Sequence, residues 1–118
     1  MIITNNPDVA DAKLDETELL DGTPLDVLTR VSALLEQGWH LVTHPLSANN
    51  RLNRSLYRSV VLGRRSAWGG SDGEIIDRAI SHLALQGFDN PKDADGDYRW
   101  IDLEHLKTAL AEAEKFHQ

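Results

Sequence analysis

Trp39-His-Leu-Val-Thr-His-Pro-Leu-Ser-Ala-Asn-Asn-Arg-Leu-Asn-Arg-Ser-Leu-Tyr-Arg-Ser-Val-Val-Leu62 is the stretch from which the fold is read. Trp39 to Thr43 is mostly apolar, and Leu56 to Leu62 is rich in the β-branched and aromatic residues that suit a pleated surface. Two strands are predicted, separated by a polar loop that His44-Pro45 opens. The first carries apolar residues on both faces, as a central strand covered on both sides would. The loop is too short and too polar for a crossover helix, so the second strand is expected to run antiparallel to a neighbour.

Toward the amino terminus, Met1 to Thr4 reads as a short strand that Asn5-Asn6-Pro7 ends. Asp8 to Lys13 fits one or two helical turns. Leu14 to Leu20 alternates poorly and, as a strand, is an edge strand with much of its length solvated. Thr23 is placed to N-cap a helix with Pro24 at its first position. Leu25, Leu28, Val31, Leu34 and Leu35 then recur at helical spacing before Gly38 closes it. Strand, helix and strand in that order imply a right-handed parallel crossover from Leu14–Leu20 to Trp39–Thr43.

Toward the carboxyl terminus, Arg64 to Gly70 is a loop. Ser71 and Glu74 have the spacing of a capping box, ahead of a stripe of Ile75, Ile76, Ala79, Ile80, Leu83 and Ala84 that Gly87 stops. Phe88 to Trp100 reads as a turn-rich connection. Asp102 is expected to cap a last helix reaching Phe116, with Leu103, Leu106, Leu110, Ala113 and Phe116 as its buried stripe. The fold class that follows is α/β: a single small domain over residues 1–118, with a mixed, mostly parallel sheet of about four strands and helices packed on it.

Composition narrows the function. At 41% apolar and 26% charged residues, the chain has the balance of a folded globular domain rather than a disordered one. With no cysteine, thiol nucleophiles, disulfides and thiolate metal sites are excluded. No apolar run approaches the roughly 20 residues that span a bilayer, and the start lacks a signal-peptide pattern, so a cytoplasmic protein without membrane partners is expected. The net charge of −7 argues against nucleic acid as a partner. That charge is segregated. From Gln37 to Ser71 there is no acid, while Arg51, Arg54, Arg58, Arg64 and Arg65 lie there, and all 19 acids fall elsewhere. An acidic protein with one cationic segment steers a small anion or an acidic protein partner toward it.

The candidate site follows from an echo. Ile3-Thr-Asn-Asn-Pro7 and Val42-Thr-His-Pro45 both run strand, Thr, polar residue, Pro. Open α/β sheets bind ligands beyond the carboxyl ends of their strands. If both corners lie on one rim, Asn5, Asn6, Thr43, His44 and Ser47 converge there, with Asn53, Arg54, Tyr57 and Arg58 adding neutral hydrogen bonds and positive charge. The plainer alternative is a solvated loop whose arginines pair with the acidic remainder. His44 is the one weak candidate for acid–base chemistry, against the commoner role of bonding its own loop. His40 and His44 lie about 13 Å apart along an extended strand and cannot share a metal. Asp93 to Glu104 matches a calcium loop at positions one, three, five and twelve but has Tyr98 where glycine is required, so an acidic turn is favoured. Gly69-Gly70-Ser-Asp-Gly73 fits neither nucleotide fingerprint, and Asp72 and Glu74 put negative charge at that helix start. Trp68 is either a lid over the core or an exposed contact residue. No metal and no cofactor is expected.

At Ile3-Thr-Asn-Asn-Pro7, at Asp21-Gly22 before the Leu25–Leu35 helix, at Gly38, at Thr43-His-Pro-Leu-Ser47, and at Asn53 with Tyr57-Arg-Ser-Val60, the chain resembles the GrdX family. These are small proteins encoded alongside glycine, sarcosine and betaine reductase components. The likeness runs well as far as Gly63 and more weakly at the last helix. It implies a cytoplasmic accessory protein linked to amino-acid metabolism. The favoured reading is therefore a non-catalytic accessory or binding protein for an anionic small molecule or an acidic protein. The alternative is a small enzyme using His44 on a carboxylate or phosphate substrate. A homodimer formed through the last two helices is a further expectation.

Overall fold

The computed structural model describes residues 1–46, 55–65, 68–87 and 95–116. Ser47, Asn49, Arg51, Asn53, Arg54 and Asp93 lie outside the described residues. The elements are β1 (Ile2–Thr4), α1 (Pro7–Ala12), β2 (Thr17–Leu19), α2 (Pro24–Glu36), β3 (His40–Leu41), β4 (Ser59–Gly63), α3 (Asp72–Gln86) and α4 (Asp95–Phe116). The strands form one four-stranded sheet in the order β2-β1-β4-β3. β1 pairs parallel with β2 and antiparallel with β4, and β3 pairs antiparallel with β4.

The fold is the small α/β domain expected, but the sheet is mixed rather than mostly parallel. β2 and β3 point the same way yet occupy opposite edges, so α2 carries the chain across the sheet instead of joining neighbours. Double-sided burial explains the order. Val60, Val61 and Leu62 of β4 are all buried and need cover on both faces, and that strand, not Trp39–Thr43, lies inside the sheet. In the Trp39–Thr43 segment only Leu41 is buried, and ladder pairing is confined to two residues at the edge. β2 is the partly exposed edge strand that its weak alternation suggests.

Alternation along the inner strands then sets the layers. Ile3, Val60 and Leu62 face α2 and α3 through Val27, Leu28, Val31, Ile76, Ala79 and Leu83. Ile2 and Val61 face the other way, toward Val9 of α1 and Leu106 of α4. Helices thus cover both faces, and α3 and α4 lie on opposite ones. Each fully buried aliphatic side chain contributes about 1.5–3 kcal/mol against exposure. Among the described residues no helix is long and apolar enough to cross a membrane.

Local signals fix α2 at both ends. The Thr23 hydroxyl accepts the Asp26 N–H at 3.2 Å while the Asp26 carboxylate accepts the Thr23 N–H at 2.8 Å, a reciprocal capping box. At the other end Gly38, at φ 99°, lets its own N–H reach Leu35 O and the Trp39 N–H reach Leu34 O, the Schellman arrangement. The expected box at Ser71 does not form. Ser71 sits at φ −85°, ψ 12°, not in the extended conformation that aims a capping hydroxyl into the helix, and its side chain makes no cap bond. α4 begins at Asp95, ahead of Asp102, so Asp102 lies inside the helix rather than at its cap. The same start makes Asp95, Asp97 and Glu104 helical, which removes the calcium-loop geometry.

Candidate functional site

Because β1 and β3 run the same way with β4 antiparallel between them, their carboxyl ends and the start of β4 lie on one rim of the sheet. Both Thr-and-Pro corners therefore share that rim. The first residues of β4 separate them, so the corners are not immediate neighbours.

The two asparagines at the first corner hold the rim together. Asn5 Nδ2 donates to Gly22 O at 3.0 Å and to Leu56 O at 2.8 Å, and its Oδ1 accepts the Arg58 N–H at 2.9 Å. Asn6 is fully buried. Its Oδ1 accepts the Asp8 N–H at 3.0 Å and so caps α1, which fixes the orientation of the amide, since a backbone N–H can only donate. Asn6 Nδ2 then donates to Arg99 O at 2.9 Å and to Asp102 Oδ2 at 3.0 Å. Both donors of each amide are engaged within the protein, so the asparagines support the site from below.

Asp102 closes a ring of hydrogen bonds whose direction is determined. The Asn6 backbone N–H donates to Thr4 Oγ1 at 2.9 Å, and the Ser59 hydroxyl donates to Asp102 Oδ2 at 2.7 Å. The Thr4 hydroxyl is left to donate to Ser59 Oγ, also at 2.7 Å. Burial pushes the Asp102 carboxyl above the usual aspartate range, and the bonds from Asn6 and Ser59, with the charge of Arg58 and His105, hold part of that rise back. Burial likewise lowers the Arg58 guanidinium from its usual value, against the opposing pull of Asp102.

Above this ring opens a crevice of about 360 Å³. It is lined by the second corner, Thr43 to Leu46, by Arg58 and Ser59, and by α4 through Asp102 and His105. Arg58 is 6% exposed, and its guanidinium donates to Pro45 O at 3.3 Å, tying it to the second corner. The Thr43 hydroxyl accepts the Val61 N–H at 3.0 Å where Val42 and Thr43 both donate to Val61 O, a β-bulge that ends the β3–β4 ladder. Tyr57 lines a smaller hollow alongside, which shares Arg58, Asp102 and His105 with the crevice.

His44 is exposed, and its Nδ1 accepts the Leu46 N–H at 3.1 Å, so it bonds its own loop. Its ring meets Trp68 edge-on at 6.1 Å, and Trp68 is partly buried against the main core. His40 turns to a different partner: its Nδ1 donates to the buried Asp72 carboxylate at 2.8 Å, which also accepts the Leu41 N–H at 3.3 Å. Asp72 thereby pins the β3 edge to the start of α3. Among the described residues no three His, Asp or Glu side chains are grouped to hold a metal. Arg64 and Arg65 are exposed, Arg64 lying over the Trp39 ring at 4.1 Å.

Asp102 and His105 are the site residues that sequence reasoning missed. The signal for Asp102 was present, since it stands four positions before Leu106 and so prolongs the buried stripe of α4 with a carboxylate.

A four-stranded mixed sheet covered by helices on both faces, with a crevice at its strand ends, defines a small α/β domain. The chain belongs to the GrdX-like family, whose model, described as GrdX-like protein, matches residues 1–111. No match is found among curated proteins or among solved structures.

Proposed function

We propose that the chain is a non-catalytic accessory protein that binds a small oxyanion, a carboxylate or a phosphate, in the crevice at the ends of β1 and β3. One observation carries the reading: a buried arginine, Arg58, lines an open hollow of small-molecule size. Placed away from water, that charge attracts an oxyanion more strongly than a surface arginine would. Pro45, Leu46, Leu106 and Ala109 give the same hollow apolar walls suited to a short carbon skeleton. Ser47, Asn53 and Arg54 belong to this reading by sequence alone, as polar and cationic residues of the acid-free segment.

A small molecule is favoured over an acidic protein because Arg58 is buried in a concavity rather than displayed on a surface. The loop bond at His44 Nδ1 favours binding over acid–base catalysis by that residue. Family membership supports the accessory role, and a cytoplasmic setting beside amino-acid reductase components completes the proposal.

The test is thermal stabilisation by acetate, sulfate and inorganic phosphate. The wild-type chain gains stability with at least one of them, and Arg58→Met loses the gain while Arg58→Lys retains part of it. Equal stabilisation of wild type and Arg58→Met would refute the site.

A further inference from the structure

Resting on that reading, the crevice poses an electrostatic problem. Among the described residues its lining carries a buried cation, Arg58, and a carboxylate, Asp102, so an arriving oxyanion brings a further negative charge beside that carboxylate. Two carboxylates sharing one site do not both stay ionised, and one takes a proton.

The hydrogen-bond ring determines where that proton goes. Asp102 Oδ2 already accepts from Asn6 at 3.0 Å and from Ser59 at 2.7 Å. Oδ1 accepts no bond among the described residues, and Asp102 lines the crevice. A proton on Oδ1 leaves the ring intact and turns a repulsive carboxylate into a donor. We propose that Asp102 is the specificity residue of this crevice: it meets the ligand oxyanion as a neutral acid, donating its Oδ1–H to a ligand oxygen, so each anion bound brings one proton with it. The direction in which burial already moves this carboxyl agrees with that role.

Other titratable groups face the same place. Arg58 comes from the position just before β4, His105 from the next turn of α4 and His44 from the second corner, while Tyr57 and Tyr98 stand in the adjoining hollow. Arg99, whose carbonyl meets Asn6, has its guanidinium 3.8 Å from Asp8. The histidines also gain charge as pH falls and would favour anions by themselves, so the test must separate them from Asp102.

Asp102→Asn does so. Its amide oxygen can take the place of Oδ2 toward Asn6 and Ser59, and its NH₂ is a permanent donor where Oδ1–H would be. Sulfate and acetate are titrated calorimetrically into the full chain between about pH 5 and about pH 8, in two buffers of different ionisation enthalpy. Wild type is expected to take up close to one proton per anion above the Asp102 pKa, with affinity falling up to about tenfold per pH unit there. Asp102→Asn is expected to bind at the high-pH end about as well as wild type does at the low end, with only a shallow histidine slope remaining.

Equal pH slopes in the two proteins would overturn the role of Asp102 while leaving the anion site in place. Tighter binding of β-alanine than of propionate without proton uptake would also overturn it, since an ionised Asp102 would then be pairing with an ammonium group. Failure of both proteins to bind either anion at any pH would remove the inference together with the reading it rests on.

Discussion

Replacing Asn6 by Asp changes one NH₂ into an oxygen and nothing else in shape. Oδ1 still accepts the Asp8 N–H, so the α1 cap is kept. Two bonds are lost: the one to Arg99 O, worth about 0.5–1.5 kcal/mol, and the one to the ionised Asp102, worth about 1.5–3 kcal/mol. The loss is thus about 2–4.5 kcal/mol at neutral pH before any repulsion between the two carboxylates, a large share of the 5–15 kcal/mol typical of such a domain. At roughly 4 °C per kcal/mol for a chain of this size, Tm falls by about 8–18 °C.

The pH dependence supplies a second readout. In the variant the new carboxylate lies 3.0 Å from Asp102 Oδ2, where the Asn6 nitrogen was, so the pair holds a proton more tightly folded than unfolded. A raised folded pKa means that the deficit against wild type is small below the ordinary aspartate range. It then grows as pH rises through the folded value. Urea unfolding of both proteins from about pH 4 to about pH 8 measures it. A neutral-pH loss below about 1 kcal/mol, or a deficit that does not change with pH, would show that Asn6 and Asp102 are not bonded as described.

Other outcomes follow from the same geometry. Asp72→Ala leaves the buried Leu41 N–H and His40 Nδ1–H without their acceptor and should cost about 1–3 kcal/mol, with faster hydrogen exchange at Leu41 than at Val61; unchanged exchange at Leu41 would count against the pin. Thr23→Ala removes the hydroxyl half of the α2 capping box and should lower unfolding free energy by about 0.5–2 kcal/mol, whereas Ser71→Ala, at a position that makes no cap bond, should change it by no more than about 0.5 kcal/mol.

The contrast between Thr23 and Ser71 shows what a sequence carries and what it does not. Both present a hydroxyl three positions before an acid, and only Thr23 has the extended backbone that lets the box close. Helices, turns and strand positions were legible where the deciding partners lie within a few residues: Pro24 and Gly38 around α2, Asn5-Asn6-Pro7 after β1, Gly87 after α3. The polar rim at Thr4 and Thr43 was legible for the same reason, because residues that end strands announce themselves locally.

Strand order was not legible, since it depends on which strand needs cover on both faces. The apolar run at Trp39–Thr43 resembled a central strand as much as Val60–Leu62 did. The roles of the asparagines were hidden too, because an amide reads alike whether it faces a ligand or, as Asn6 does, a carboxylate 96 positions away. By itself the sequence determined the local elements, the segregation of charge and the chemistry available at the strand ends. Only the tertiary structure decided that β4 separates β1 from β3, that Asp102 closes the ring beneath the crevice and that Asp72 answers His40. Each of those depends on bringing together groups that the chain itself holds far apart.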